Sequence, residues 1–449
     1  MMPETETPLN WNLNNITLPP DSASGLLVDE IWGDSQMGMN SIRIAGKWPT
    51  ANLPFVGRLF GILNTISTGV RVTQPDNSAS YGIVNQTGGD AAEYLRPGDA
   101  WDSDGNSSDH FNFSVGWRFD TTGSTLRQLL VFSAEEGTLY TDSYPLANQR
   151  LVARVFYRKT ASCVPSIRVY PHRNGTRGGF SLVNLDNTGG VGYFDRTIQS
   201  ANPSSGSEPA GFEIWTDDVG GYTAGNTLEI LGVLLYRSDT DFDIVNSGYV
   251  HLPIYRSGFD ASELSNNVSD TALNALHEAI NDMRGGTACV DLVQVETGHN
   301  NDPNGYINGI TTLVTKVSGS LSGGGFDAPD YCMWAMWSYD DNQARMSTQA
   351  DDLFSFCDTN GYGFINLFKT YNGLDPETNG LTFDGTPAPY QMDSSHLHPG
   401  DGVTADLIVL DIEQHWQEEN WITSLPDPAG SVSISSSMFG GLAVRPFSF

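Results

Sequence analysis

Basic residues are scarce in this sequence. Its 449 residues include 22 lysines and arginines against 53 aspartates and glutamates, a formal net charge of −31. A surface this acidic repels phosphate backbones, which argues against nucleic acid as a partner. Cysteine is scarce as well. Cys163, Cys289, Cys332 and Cys357 show neither a CxxC pair nor metal spacing with histidine, so no disulfide framework or zinc site is expected. Cys289 and Cys332 fall in apolar, strand-like runs and read as buried free thiols. His110, His172, His251, His277 and His415 have no ligand spacing, and no metal is expected. No apolar run is long enough for a membrane helix, which argues against membrane insertion. The opening MMPETETPLN lacks the basic and apolar regions of a secretory signal. These absences place the chain in the cytosol, as a mature fragment, or on a virus particle.

What is plentiful is turn chemistry: glycine, with frequent Ser, Thr, Asn and Asp. The length suggests two or three domains. Residues 1–24 read as an extended arm with Pro19-Pro20. GLLVDEIW (25–32) is a compact strand, and NLPFVGRLFGILNTIS (52–67) carries Leu53, Val56, Leu59, Phe60 and Leu63 at helical spacing. Residues 71–245 change texture. Short runs such as RQLLVFSA, RLVARVFYR, SIRVYPH and TLEILGVLLYR alternate with turn residues, the pattern of an inserted β-sandwich of jelly-roll type.

Residues 246–424 alternate strand and helix. GYVHLPIY, CVDLVQVETG, YCMWAMWSY and YGFINLFKTY read as strands; TALNALHEAINDM, YINGITTLVTKV and GVTADLIVLDIEQHW read as helices. Ser269 or Asp270 is placed to cap the first of these helices. Continuous apolar strands between amphipathic helices indicate an α/β fold whose parallel sheet is covered on both faces. The first part of this layer is 25–70, ahead of the insertion. Residues 425–449 form a Ser/Gly-rich tail.

Sites in parallel sheets form beyond the carboxyl ends of strands. Gly33-Asp34-Ser35 follows the first strand, Arg256-Ser257-Gly258 follows GYVHLPIY, and Gly298-His299-Asn300 follows CVDLVQVET. DSSHLHPG, with Asp393, His396 and His398, precedes the final helix. Serine acyl transfer needs a base for the hydroxyl proton, a carboxylate that orients the base, and donors aimed at the developing oxyanion. Asp393-x-x-His396 supplies base and orienter from one loop, with His398 the rival base. The backbone N–H groups of Ser35 and Gly258 and the Asn300 amide supply donors. Asp34 reads as a brace for the nucleophile loop. Trp334, Trp337 and Tyr339 sit on a buried-strand pattern and read as core.

These blocks resemble the SGNH (GDSL-type) hydrolases, named for their Ser, Gly, Asn and His. Gly33-Asp34-Ser35 resembles the nucleophile block, Gly298-His299-Asn300 the Asn block, and Asp393-Ser-Ser-His396 the closing Asp-x-x-His block. For the Gly block, Gly258 is preferred because it follows the strand expected second in the sheet; Gly89, in VNQTGGDAAEYL, is the alternative. Asn301 stands where the family often has Asp.

The resemblance implies a flavodoxin-like, three-layer α/β/α fold. It implies a serine esterase with Ser35, Asp393 and His396 as catalytic residues, an oxyanion hole of Ser35, Gly258 and Asn300, and no cofactor. A β-sandwich between nucleophile and Gly blocks resembles a subset of these esterases that deacetylate glycans. There the insert is similar to a carbohydrate-binding module. The expected partner is an acylated glycan. The deacetylase is expected on a phage tail or capsid surface, as a homo-oligomer or within a larger viral assembly; the alternative is a virion or surface protein that binds glycan with little or no turnover.

Overall fold

The computed structural model of the protein describes residues 11–12, 26–33, 55–61, 117–120, 127–133, 150–161, 166–173, 176–177, 179, 181–185, 188–199, 209–217, 227–240, 242–244, 248–255, 260–298, 305–336 and 343–370. The chain enters with β1 (Trp11–Asn12), β2 (Leu26–Gly33) and β3 (Phe55–Gly61). The turn-rich middle supplies β4 (Trp117–Asp120), β5 (Arg127–Ser133), β6 (Arg150–Lys159), β7 (Ser166–Arg173), β8 (Thr176–Arg177) and β9 (Ser181–Asn184). It continues with β10 (Gly190–Gln199), β11 (Pro209–Asp217), β12 (Thr227–Thr240) and β13 (Asp243–Ile244). Strands and helices then alternate: β14 (Gly248–Tyr255), α1 (Ala261–Asn267), α2 (Asp270–Arg284), β15 (Leu292–Glu296) and α3 (Tyr306–Gly323). They end with β16 (Asp330–Ala335), α4 (Gln343–Asn360), β17 (Gly363–Asn366) and α5 (Leu367–Thr370).

The fold is mixed α/β. Strands β14-β2-β15-β16-β17 lie side by side and parallel. Numbered by order of entry among these five, that order is 2-1-3-4-5, and its winding direction reverses between the first and third of them, β2 and β15. Each of these strands carries buried residues on both faces, as parallel sheets require. On one face Val28, Trp32, Val293, Val295 and Met333 pack against α1–α4 in a single core.

The sheet does not stop at β14. β3 joins it in parallel, and β12, β6 and β10 extend it antiparallel. The expected helix over 52–67 is thus corrected: Phe55–Gly61 is a strand. Its apolar positions fit either period over so short a run. Gly57 and Gly61 each cost a helix about 1 kcal/mol, and pairing with β14 and β12 decides the outcome. YGFINLFKTY is strand only over Gly363–Asn366 and turns helical at Leu367.

A second, five-stranded sheet has the order β5-β11-β7-β8, with β9 on β7. It meets the main sheet through β10, which touches β7 and β11. Arg196 on β10 also donates to the Leu182 carbonyl on β9 at 2.8 Å. A separate jelly-roll insert is not confirmed: β6, β10 and β12, all from the middle stretch, are strands of the main sheet. Arg154 on β6 fixes that extension to α2. Its buried guanidinium bonds both Asp195 oxygens at 2.8 and 2.6 Å, reaches Asp282 at 3.2 Å and donates to the Ala279 carbonyl.

Ser269 caps α2 by accepting the Ala272 N–H at 3.1 Å, and Leu273, Leu276, Ile280 and Met283 are buried as their spacing predicts. Besides α5, two helices were not anticipated. α1 opens with a capping box between Asp260 and Glu263, a signal present in the sequence as D-A-S-E. α4 buries Met346, Ala350, Leu353 and Cys357 at helical spacing. The predicted helix at 402–416 and the tail at 425–449 lie outside the described residues. Among the described residues no helix is long and apolar enough to cross a membrane.

Candidate active site

At the carboxyl edge of the parallel sheet, Gly33 ends β2. It is register-paired with Tyr255, the last residue of β14, and with Glu296, the last residue of β15. Glu296 is paired in turn with Trp334 on β16. The ends of β14, β2 and β15 therefore lie level and adjacent, about 4.8 Å from strand to strand. From these ends the chain continues into Asp34-Ser35, into Arg256-Ser257-Gly258, and into Thr297-Gly298-His299-Asn300. Ser35, Gly258, Asn300, Asp393 and His396 themselves lie outside the described residues, as do the alternatives Gly89 and His398. The structure brings together the strand ends that carry three of the expected blocks.

The support beneath those loops is described. Thr297 is buried, and its carbonyl accepts the Tyr306 hydroxyl at 2.8 Å. Gly298 lies beside Met346 and Met336; a Cβ built there would meet Met346 Cε at 3.6 Å and Met336 Cβ at 3.9 Å. Asp260, which caps α1, ends the loop that begins after Tyr255. That helix lies tight against α3: a Cβ on Gly309 would sit 2.9 Å from the Ser262 backbone nitrogen. The helices that follow β14 and β15, α1 and α3, are thus in direct contact.

Two buried polar networks run through the sheet below. Asp29 and Glu30 are neighbours in β2 and point to opposite faces, because side chains alternate along a strand. On the face away from α1–α3, His251 Nδ1 lies 3.1 Å from Asp29 Oδ2. The Gln294 amide donates to Asp29 Oδ1 at 2.8 Å, and the Trp334 indole donates to Gln294 Oε1 at 2.9 Å. One link comes from each of β14, β2, β15 and β16, and all four side chains are fully buried. This ladder pins the register of the strands whose ends make the site. Trp334 belongs to it as core, as expected; Trp337 and Tyr339 lie outside the described residues.

On the helix face, Glu30 accepts the Trp32 indole N–H at 2.6 Å and lies 2.9 Å from His277 Nε2. His277 Nδ1 is 2.8 Å from Ser320 Oγ, which donates to Asn274 Oδ1 at 2.6 Å. Carboxyl, imidazole and hydroxyl stand in line at catalytic distances, yet α2 and α3 close over them. Ser318, one short step along α3 from Ser320, bonds the Tyr331 hydroxyl at the start of β16. The cluster therefore lies toward the amino ends of the strands, away from the edge at Gly33, and its role is structural. Neither histidine partner was foreseen. The signal was the acidic pair inside an apolar strand, which requires a buried partner on each face.

Cys289, Cys332 and Cys357 are buried free thiols. Burial pushes all three well above the ordinary thiol value, and the nearby Glu30 charge adds to this for Cys289. No family model matches the sequence, and no curated protein matches it. Among solved structures it is similar to the YXIM protein of Bacillus subtilis at 14% identity, covering 68% of this chain and 84% of that one, with a TM-score of 0.30. A family two carbohydrate esterase from Clostridium thermocellum is 10% identical over 60% of this chain and 90% of its own, with a TM-score of 0.24. The acetyl xylan esterase Est2A from Butyrivibrio proteoclasticus is 9% identical over 69% and 91%, with a TM-score of 0.23.

Proposed function

We propose that this protein is a serine ester hydrolase of SGNH type that removes O-acyl groups, foremost O-acetyl, from a glycan. The observation that supports it is the pairing of Gly33 with both Tyr255 and Glu296. The strand ends from which the sequence runs into the nucleophile, Gly and Asn blocks are neighbours, at the winding reversal where open α/β sheets bind their ligands. Ser35 stands two residues past its strand, Gly258 three and Asn300 four. At no more than about 3.6 Å per residue, all three are within chain reach of one reacting carbon.

In this reading Ser35 attacks the ester carbonyl. His396 takes the hydroxyl proton and returns it to the departing sugar oxygen, while Asp393 holds the imidazole in the useful tautomer. Ser35, Gly258 and Asn300 donate to the tetrahedral oxyanion, each worth roughly 10²–10³ in rate. Water then attacks the acyl-enzyme with the same base, releasing the acid and restoring Ser35. The fold is taken as flavodoxin-like, three-layered α/β/α, with the β-rich middle as its glycan-facing addition. That middle and the block resemblance carry the choice of a glycan substrate.

The test is acetate release from a panel of acetylated polysaccharides, followed by mass spectrometry. The wild-type protein is expected to release acetate and Ser35→Ala none, with circular dichroism unchanged. Full activity in Ser35→Ala would remove the assignment.

A further inference from the structure

The Asn block occupies the chain between β15 and α3, and the two flanks of that crossing are joined by one hydrogen bond. Thr297, just past the end of β15, turns its carbonyl to the hydroxyl of Tyr306, the first residue of α3, at 2.8 Å. Both residues are buried, Thr297 at 1% and Tyr306 at 3% exposure. The Thr297 carbonyl lies beyond the β15 ladder, in a place closed to water. An acceptor buried there needs a partner from elsewhere in the fold, and the phenol supplies it. The bond closes the base of the loop 298–305, which carries His299 and Asn300.

We infer that Tyr306 is the positioning residue of the Asn300 oxyanion donor, an inference that rests on the esterase reading above. An oxyanion donor works only when it is held at the place the negative oxygen will occupy, before the reaction begins. Asn300 follows Thr297 by three residues in the sequence, and each free backbone dihedral between a fixed point and a donor works against such placement. Tyr306 removes part of that freedom by tying the first residue of the crossing to the first residue of a long helix. It acts through the backbone at Thr297 and touches no substrate. Phenylalanine keeps the ring and its packing and deletes the clasp alone.

The test combines Tyr306→Phe with Asn300→Ala and reads p-nitrophenyl acetate hydrolysis beside native-state hydrogen exchange. Tyr306→Phe is expected to lower kcat about tenfold, the scale of a sub-ångström misplacement, with KM within about twofold. In the Asn300→Ala background the same change is expected to cost less than about twofold, because the donor it positions is already gone. Amides within 298–305 are expected to exchange faster in Tyr306→Phe, with β15 unchanged. An equal loss of kcat in both backgrounds, or no loss in either, overturns the positioning role. Unchanged exchange in the loop overturns the clasp whatever the activity shows. Retained activity in Ser35→Ala, together with faster exchange in Tyr306→Phe, would sink the esterase reading and leave the clasp standing as a loop restraint.

Discussion

Two regions of this molecule bear comparison: one assembles a carboxyl group, an imidazole and a hydroxyl, and the other is where we propose that the sequence supplies the same three groups. In the first, Glu30, His277 and Ser320 stand 2.9 and 2.8 Å apart in sequence of contact, sealed between β2, α2 and α3. In the second, the strand ends at Gly33, Tyr255 and Glu296 lead into loops whose sequence offers Ser35, Gly258, Asn300 and, from further along, Asp393 and His396. The sealed cluster has catalytic distances and poor prospects for chemistry. Its carboxyl, imidazole and hydroxyl are all buried, and the hydroxyl is already committed to Asn274. Hydrogen-bond distance alone does not make a nucleophile; position at the carboxyl edge of a parallel sheet, with backbone free to turn toward a ligand, is the more informative sign.

The sharpest way to break this contrast is to delete each serine in turn. Ser35→Ala is expected to lower ester hydrolysis by at least about 10³-fold with no loss of stability, since removing the nucleophile of a triad leaves only binding and oxyanion stabilisation. Ser320→Ala is expected to keep kcat and KM and to lower the unfolding free energy by about 1–3 kcal/mol, because His277 and Asn274 lose a buried partner. Steady-state kinetics paired with urea unfolding of both variants reads the difference. If the effects came out exchanged, the roles of the two regions would have to be exchanged with them.

Next in size is the cost of opening the sealed cluster. Glu30→Ala strands both the Trp32 indole and His277 in the interior. Breaking such a pair by removing one partner costs about 3–5 kcal/mol. Glu30→Gln keeps the shape and one acceptor and is expected to lose less. Unfolding free energies of both variants, from urea titrations, within about 0.5 kcal/mol of wild type would show that the cluster contributes little to stability.

That cluster also marks where the sequence stopped being legible. The apolar run GLLVDEIW announces a buried strand, and Asp29 and Glu30 within it announce partners. Those partners are 222 and 247 residues away, at His251 and His277. Nothing local names them, because the winding of the whole sheet decides which strand lies beside β2. The strand ends fared better, since the rule that sites follow carboxyl ends needs only the strands themselves. Tyr306 was invisible for a different reason: its hydroxyl meets a backbone carbonyl, and no residue type at 297 is required for that. β3 was misread because Val56, Leu59 and Phe60 satisfy a helical period over too few residues to exclude a strand. α1 was overlooked although Asp260 and Glu263 spelled its capping box; a short helix after a strand offers little periodicity to notice.

A smaller effect separates two glycines of the same helix. Gly309 faces α1, where an added Cβ would lie 2.9 Å from the Ser262 backbone nitrogen and 3.3 Å from the Ala261 Cβ. Gly319 faces open space, with nothing within 4 Å. Alanine favours the helix by about 1 kcal/mol at either position, but at Gly309 the neighbour is backbone and overpacking costs about 1–3 kcal/mol. Gly319→Ala is therefore expected to stabilise by up to about 1 kcal/mol. Gly309→Ala is expected to destabilise by about 1 kcal/mol and, by shifting α1 and the loop that precedes it, to lower ester hydrolysis several-fold. Thermal unfolding and kinetics on the two variants check both signs, and stabilisation at Gly309 would mean that α1 and α3 are not held in contact.

The smallest expected signal is close to none, and it asks directly whether the first region is sealed. Cys289 borders that cluster: its Sγ–H donates to the His277 carbonyl at 3.2 Å. Burial first, and the Glu30 charge second, raise its thiol well above the ordinary value. The thiolate is the reactive form, so at pH 8 the native protein holds almost none of it at Cys289, and burial denies a reagent access to the remainder. Cys332 and Cys357 share the same cause. Iodoacetamide at pH 8 is expected to leave all three unlabelled in the native protein and to modify them once urea unfolds it, as read by peptide mass spectrometry. In Glu30→Ala, labelling of Cys289 is expected to rise ahead of Cys332 and Cys357, because Cys289 alone of the three bonds His277, beside the cavity that opens. Prompt labelling of Cys289 in the native wild type would show that solvent reaches the Glu30–His277–Ser320 chain, and the contrast between the two regions would fall.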